Sequence, residues 1–467
     1  MITAPSPARP LASVNPATGE PLEQFTPLDP AAVLTAIATA DRAQRDWGRR
    51  PLAARAAVLH AIGQGLRADA ERLAGTITRE MGKPIAEARA EIEKCAAACE
   101  TFSEQGPGWL ADVAAPSDSD RSFVAFEPLG LVLAIMPWNY PFWQVVRAAG
   151  PALLGGNAVL LKHAPSVTRC ALELEAVMER SGLPQGVLTA LLITEAQVEP
   201  VIADPRVRAV TLTGSDRAGS QVAEVAGRHL KKTVLELGGS DVFIVLEDAD
   251  LDQAVATGVR ARFQNTGQTC IAAKRFLVVE PIAERFERRF RDAVAALRVG
   301  DPTSASTEIG PLARADLRDN LDRQVRESVA QGATVRCGGA PAPGPGFFYQ
   351  PTVVGDVTPA MAVFREETFG PVAAVTRVAD EDEAVRLAND SPYGLGGNVW
   401  TGDLERGVRI ARRLDTGGVF VNGMTHSDPR IPFGGVKRSG YGRELSRFGI
   451  HELVNVQTIW LPPTTTG

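Results

Sequence analysis

A chain of 467 residues exceeds what one ordinary hydrophobic core organises and suggests roughly two or three domains. Its 45% hydrophobic and 22% charged residues are an ordinary globular balance, and a net charge of −6 gives no reason to expect nucleic acid as a partner. Five cysteines, odd in number and sparse, argue against a disulfide framework, and the longest apolar stretch, 129–137, is far too short to span a bilayer.

In chain order, residues 1–16 are rich in Pro and Ala but lack an apolar segment after a basic start, so no secretory signal is read there and a soluble, cytoplasmic protein with no membrane partner is expected. Residues 31–105 carry Ala, Leu and Ile at three- and four-residue spacings, which predicts helix, interrupted mainly at Gly82-Lys83-Pro84. Cys95 and Cys99 sit four apart on that helix with no histidine or second cysteine pair near them, so they read as buried structural thiols and not as metal ligands. Ser122 to Ile135 reads as two extended runs around Glu127-Pro128-Leu129-Gly130.

Strands then alternate with helices. Ala158 to Lys162, Ala209 to Thr213, Thr233 to Leu237 and Val242 to Leu246 are the strands, and Ala171 to Ser181 and Arg217 to His229 the helices. Such alternation predicts a parallel sheet covered on both faces. A second alternating section runs from Arg275–Val279 to Gly417–Val421, and an apolar strand-like end, Leu453 to Leu461, precedes a loose Pro/Thr tail.

The residues with chemistry fall between these elements. Phe263-Gln264-Asn265-Thr266-Gly267-Gln268-Thr269 leads into Cys270. A lone cysteine is more often an inert core thiol, but this polar, glycine-containing approach is no core sequence, and Cys270 is the candidate nucleophile. Glu236 ends a strand before Gly238-Gly239, where a carboxylate faces a ligand crevice and serves as general base for water; a capping or surface glutamate is the alternative. Asn139, after Pro137-Trp138, is a turn residue or an oxyanion donor. Thr213-Gly214-Ser215 follows a strand and opens a helix, a setting for phosphate, though without the usual G-x-G-x-x-G. Lys162 ends the preceding strand within reach of a ribose hydroxyl or phosphate, or is simply solvated. Thiol, carboxylate and amide together describe covalent chemistry on a carbonyl carbon.

These segments, with Glu367-Thr368-Phe369-Gly370-Pro371 and Pro432-Phe433-Gly434-Gly435, resemble the NAD(P)-dependent aldehyde dehydrogenase superfamily along nearly the whole chain. Leu161-Lys162-His163-Ala164-Pro165 and Glu236–Asp241 are most similar to bacterial succinate-semialdehyde dehydrogenases. The resemblance implies that Cys270 attacks an aldehyde, that Asn139 and the Cys270 N–H hold the oxyanion, that hydride passes to the nicotinamide, and that Glu236 activates the water that releases the acid. It places Lys162 with the catalytic set and, together with Glu367, on the cofactor riboses. Phe369, Trp138, Gly214 and Ser215 would line the same cleft. Members restricted to NAD often have a carboxylate three residues after the lysine; here that position is Pro165, so NAD or NADP is expected.

For the substrate, Arg147 matches an arginine that binds a distal carboxylate in some succinate-semialdehyde dehydrogenases, with a structural ion pair as its alternative role. A second arginine of some of those enzymes is Gln264 here, and Trp143, Phe142 and His426 would instead suit a less polar aldehyde. A small-molecule aldehyde, a succinate semialdehyde or similar short semialdehyde, is therefore expected. A broad-specificity aliphatic or aromatic aldehyde dehydrogenase and a cysteine-dependent esterase are the alternatives, whereas Glu236 argues against a CoA-acylating enzyme. The expected architecture is α/β: a Rossmann-like cofactor domain (1–107, 127–238 and 429–447), an α/β catalytic domain (239–428) and a small β oligomerisation extension (108–126 and 448–467). An apolar edge strand at 453–461 predicts a homodimer or a dimer-based tetramer.

Overall fold

The computed structural model describes residues 11–119 and 121–462, so the first ten residues and the Pro/Thr tail beyond 462 lie outside the described residues. The helical expectation for 31–105 resolves into helices Pro30–Gly48, Leu52–Ala68, Ala70–Met81 and Ile85–Trp109. The break at 82–84 is present, and a further one at 49–51 arises where Pro51 has no N–H to continue a helix. Each helix lays an apolar stripe on one shared core: Ile37, Trp47, Leu59, Ile62, Leu66, Ile77, Ile92 and Phe102 are all buried. A buried aliphatic or aromatic side chain of this kind contributes about 1.5–3 kcal/mol.

That core covers a six-stranded sheet. Its strands run in the spatial order Gly440–Tyr441, Lys232–Glu236, Val207–Thr213, Leu131–Met136, Ala158–His163, Leu188–Ala190, all parallel except the first. Ala158–His163 is buried at every residue because helices cover both faces, which is why it reads as an apolar run without alternation. A seven-stranded sheet forms the second body, in the order Thr334–Cys337, Thr352–Gly355, Val372–Val378, Ala273–Val279, Asp241–Val245, Gly396–Trp400, Gly418–Val421. A second apolar cluster, including Phe243, Phe276, Phe286 and Phe290, packs against it. The third sheet is small: Val454–Leu461 pairs with Arg121–Pro128, which pairs with Val113–Ala114, all antiparallel.

The two large sheets meet end to end. Carboxyl ends of the first sheet's strands (Met136, His163, Thr213, Glu236) face segments leading into the amino ends of the second (239–240 before Asp241, 270–272 before Ala273, 367–371 before Val372). In the first sheet the chain runs outward from Leu131–Met136 through Ala158–His163, then returns to its other side with Val207–Thr213. The loops after Leu131–Met136 and Val207–Thr213 therefore part at a topological switch point, where open α/β sheets bind ligands.

Candidate active site

The loop that leads into Cys270 is bent by force. Helix Leu251–Phe263 ends at Gln264, and Asn265, Thr266 and Gly267 follow with φ of 56°, 55° and 71°. Left-handed backbone at a non-glycine residue is costly and persists only where surroundings impose it. Here they do. The Asn265 N–H donates to Glu87 (2.7 Å) and its side-chain amide to the Asn139 carbonyl (2.9 Å). Gly267 passes so close to the next loop that a Cβ would stand 2.4 Å from the Gly370 carbonyl oxygen. Beyond the bend, the buried Lys274 ammonium donates to the carbonyls of Thr269 (3.0 Å) and Cys270 (2.7 Å). Both carbonyls thus face the lysine.

Cys270 itself is half-buried and free. Burial pushes its thiol up to about 11, with Arg147 and Lys274 only partly offsetting. The Asn139 side-chain amide is held beside the loop by a hydrogen bond to the Gln268 carbonyl (3.0 Å). Asn139 lies on the Pro137–Pro141 turn, which His163 ties down by donating its Nε2–H to the Pro141 carbonyl (2.8 Å), its Nδ1 accepting the Ala164 N–H (2.9 Å). Burial lowers that imidazole to about 4, so it is neutral.

Glu236 is neither a surface nor a capping residue. It is buried, and both its carboxylate oxygens lack a hydrogen-bond partner among the described residues. Burial first, and the nearby Glu444 second, raise its carboxyl well above the usual range, with Arg147 opposing. The strand carrying it leads into glycines that permit close approach: a Cβ on Gly239 would stand 2.6 Å from the Cys270 carbonyl. The Gly239 N–H donates instead to Glu367 (3.0 Å), which joins the segment after the Glu236 strand to the Glu367–Pro371 loop. Buried Arg262 ties the same loop further, donating to the carbonyls of Thr368 (2.9 Å), Gly370 and Val372 (2.5 Å) and to Gly267 (3.4 Å).

Around the switch point, Trp138 meets Phe369 edge-on, with ring centroids 5.7 Å apart. Gly214 closes its strand by donating to the Glu236 carbonyl (3.0 Å), and the Ser215 hydroxyl caps helix Asp216–Arg228 by accepting from the Ala218 N–H (3.2 Å). Lys162 is 6% exposed yet has no hydrogen bond or ion pair among the described residues, and burial lowers its ammonium. A buried cation without an acceptor fits a ligand that brings hydroxyl or phosphate oxygens to this strand end. No carboxylate stands at Pro165, which begins a short 3-10 turn. The residues present thus fit a dinucleotide with or without a 2′-phosphate.

On the other side of Cys270 lies a cavity of ≈ 180 Å³ whose walls include Arg147, Trp143, Gln264 and His426. Of these, Gln264 and His426 are at the exposed mouth and Trp143 is buried. Phe142 is not among its walls: fully buried, it packs into the first core, because the adjacent Trp143 begins the helix and turns Phe142 inward. Arg147 is ion-paired to Glu444, stacks over Phe433 (4.6 Å) and approaches the Thr213 hydroxyl (3.4 Å). The wall also carries residues that motif reading passed over. Lys94 and Glu87 belong to helix Ile85–Trp109, whose charged residues look solvated in sequence, and Ser427 to a loop after the last strand of the second sheet. Only their spacing on one helix face (87, 91, 94) hinted that they turn inward together.

The chain matches the aldehyde dehydrogenase family over residues 2–459. It is 48% identical over 464 residues to the succinate-semialdehyde dehydrogenase [NADP(+)] of Mycobacterium avium (strain 104), covering 98% of each chain. It is 49% identical over 455 residues to the succinate semialdehyde dehydrogenase [NAD(P)+] Sad of Escherichia coli (strain K12), covering 97% of this chain and 98% of that one. Among solved structures, succinic semialdehyde dehydrogenase from Streptococcus pyogenes in complex with NADP+ superposes with a TM-score of 0.94 at 36% identity, over 97% of this chain and 99% of the other.

Proposed function

This chain belongs to the aldehyde dehydrogenase family, and on that premise we propose that its aldehyde is succinate semialdehyde or a similar short semialdehyde. It oxidises an aldehyde to the carboxylic acid with NAD or NADP. The observation that carries the substrate reading is the cavity beside Cys270, whose walls include two cations, Lys94 and Arg147. Glu87 and Glu91 line it too, but Glu91 is ion-paired to Lys83 and Glu87 accepts the Asn265 N–H, so a cation there can attract an aldehyde that bears an acid at its far end.

The geometry supports the following roles. Cys270 loses its proton to solvent water and its sulfur bonds to the carbonyl carbon as the C=O π pair shifts onto oxygen, giving a thiohemiacetal anion. The Asn139 amide and the Cys270 N–H stabilise the oxygen that becomes negative. When bound, NAD(P)+ supplies the hydride acceptor that turns the thiohemiacetal into a thioester. Lys162 and Glu367 would hold its riboses, Trp138 and Phe369 would stand beside its nicotinamide end, and Gly214 and Ser215 would line its cleft. Glu236, whose burial gives it a high proton affinity, takes a proton from water as the water attacks the thioester, freeing the acid and the Cys270 thiol.

The domain division into 1–107 with 127–238 and 429–447, 239–428, and 108–126 with 448–467 is likewise proposed, supported by the separate sheets. A cytoplasmic location is proposed on the five free cysteines, which suit a reducing compartment. Assembly as a homodimer or dimer-based tetramer is proposed on the exposed strand Val454–Leu461.

The test is cofactor reduction with succinate semialdehyde against butanal, each with NAD and with NADP. The semialdehyde is expected to win by at least tenfold in kcat/KM, with both cofactors turned over. Equal or better use of butanal would make this a broad aldehyde dehydrogenase. Ester hydrolysis at a comparable rate without cofactor would favour a cysteine-dependent esterase.

A further inference from the structure

Two cations line the substrate cavity, and they are not equivalent. The charge of Arg147 is already answered: it is ion-paired to Glu444, and its guanidinium lies over the Phe433 ring. Binding a substrate carboxylate there would require it to share or release an internal carboxylate. Lys94 has no such partner among the described residues. Its hydrogen bond goes to the neutral Ser427 hydroxyl (2.7 Å), and its ammonium sits 4.2 Å from the centre of the Trp143 ring. That leaves ammonium donors unused in a half-buried side chain.

The nearest carboxylate on its own helix, Glu91, is saturated by others. One Glu91 oxygen accepts the N–H groups of Phe142 (2.9 Å) and Trp143 (3.0 Å), and the other is ion-paired to buried Lys83. Glu87, one turn earlier, faces the same cavity but accepts the Asn265 N–H, and burial raises its carboxyl to about 7. Burial and the positive charge of Arg147 lower Lys94 to about 8, the condition of a cation missing its counter-ion. Trp143 and Ser427 hold Lys94 in place, since the Trp143 indole N–H also donates to the Ser427 hydroxyl (3.1 Å).

We propose that Lys94, and not Arg147, is the residue that selects the substrate, by pairing its ammonium with the distal carboxylate of an ω-carboxylated aldehyde whose carbonyl lies at Cys270. The assignment rests on the substrate reading given above and deepens it. Ser427 and Trp143 act as positioning residues for Lys94, and Arg147 holds Glu444 beside Glu236.

The experiment compares kcat/KM for succinate semialdehyde and for butanal in the wild-type enzyme and in the Lys94→Met, Lys94→Gln and Lys94→Arg variants. The ratio of the two measures selectivity and is insensitive to a uniform loss of folded enzyme. Lys94→Met and Lys94→Gln are expected to lower that ratio about 30-fold, mainly through KM for the semialdehyde. That is about 2 kcal/mol, at 1.4 kcal/mol per tenfold and within the range for a charged hydrogen bond. Lys94→Arg is expected to recover most of the ratio. Should Lys94→Met fail to fold, Lys94→Gln, which keeps a donor for Ser427, reads the same loss of charge. If the wild type prefers the semialdehyde and both neutral variants keep that preference, the Lys94 assignment is overturned while the substrate reading stands. If the wild type shows no preference, both fall together.

Discussion

Burial dominates the reactivity of Cys270. Its thiol, pushed up to about 11, is protonated at neutral pH in the free enzyme, so a thiolate there is a minor species. The sign is direct: the thiolate fraction grows as pH rises and levels off only near 11. Alkylation of cofactor-free enzyme by iodoacetamide, with Cys270→Ala as the blank for the other thiols, is therefore expected to accelerate about tenfold per pH unit between 7 and 10. A plateau below pH 8 would show a thiol lowered by its cations and would sink this account. The surroundings of Cys270, Glu236 and Asn139 were legible in the sequence because each stands in a short string whose neighbours disclose its setting. Those of Lys94, Lys274 and His163 were not. Lys94 meets Ser427 across 333 positions, and His163 acts on a turn 22 residues away; no local string records such contacts.

Elements matter here through the segments that join them. The bend at 265–267 lets helix Leu251–Phe263 deliver Cys270 to the first sheet's strand ends, and Gly267 is where it touches the Glu367–Pro371 loop. Replacing Gly267 with Ala meets two costs: left-handed backbone at about 1–2 kcal/mol, and a Cβ 2.4 Å from the Gly370 oxygen. Gly182 has φ +98° with nothing within 4 Å of where a Cβ would stand, so Gly182→Ala isolates the backbone cost alone. Thermal unfolding should fall further in Gly267→Ala than in Gly182→Ala, and turnover should collapse only in the former. Equal behaviour of the two would mean that contact with Gly370 is unimportant. Sequence patterning found the long central strands because burial on both faces leaves an unbroken apolar run. It missed the hairpin Leu11–Val14 and Pro21–Phe25 and the three-residue strand Leu188–Ala190, which are too short to show a period.

At the scale of the whole molecule, the third sheet has no core of its own. Strand Val454–Leu461 pairs along its full length with Arg121–Pro128 on one side only, leaving the N–H and C=O groups of its other edge without a strand among the described residues. Val456, Trp460 and Leu461 are 56%, 48% and 43% exposed on it, and Val113 on the short strand at the opposite edge is 53% exposed. A flat apolar edge of this length pairs with any available chain unless its own assembly covers it. Charged or proline residues that would block the edge are absent from 454–461. A second copy of this chain is the economical cover, since a two-fold contact uses the same surface from both sides. Light scattering on the wild-type protein should therefore give a dimer or tetramer mass, and the double substitution Val456→Asp with Trp460→Asp should shift it to the monomer. The active-site residues lie outside the third sheet, so a folded monomeric variant separates assembly from chemistry. A monodisperse wild-type monomer, or a double variant whose mass is unchanged, would show that this edge is not the interface.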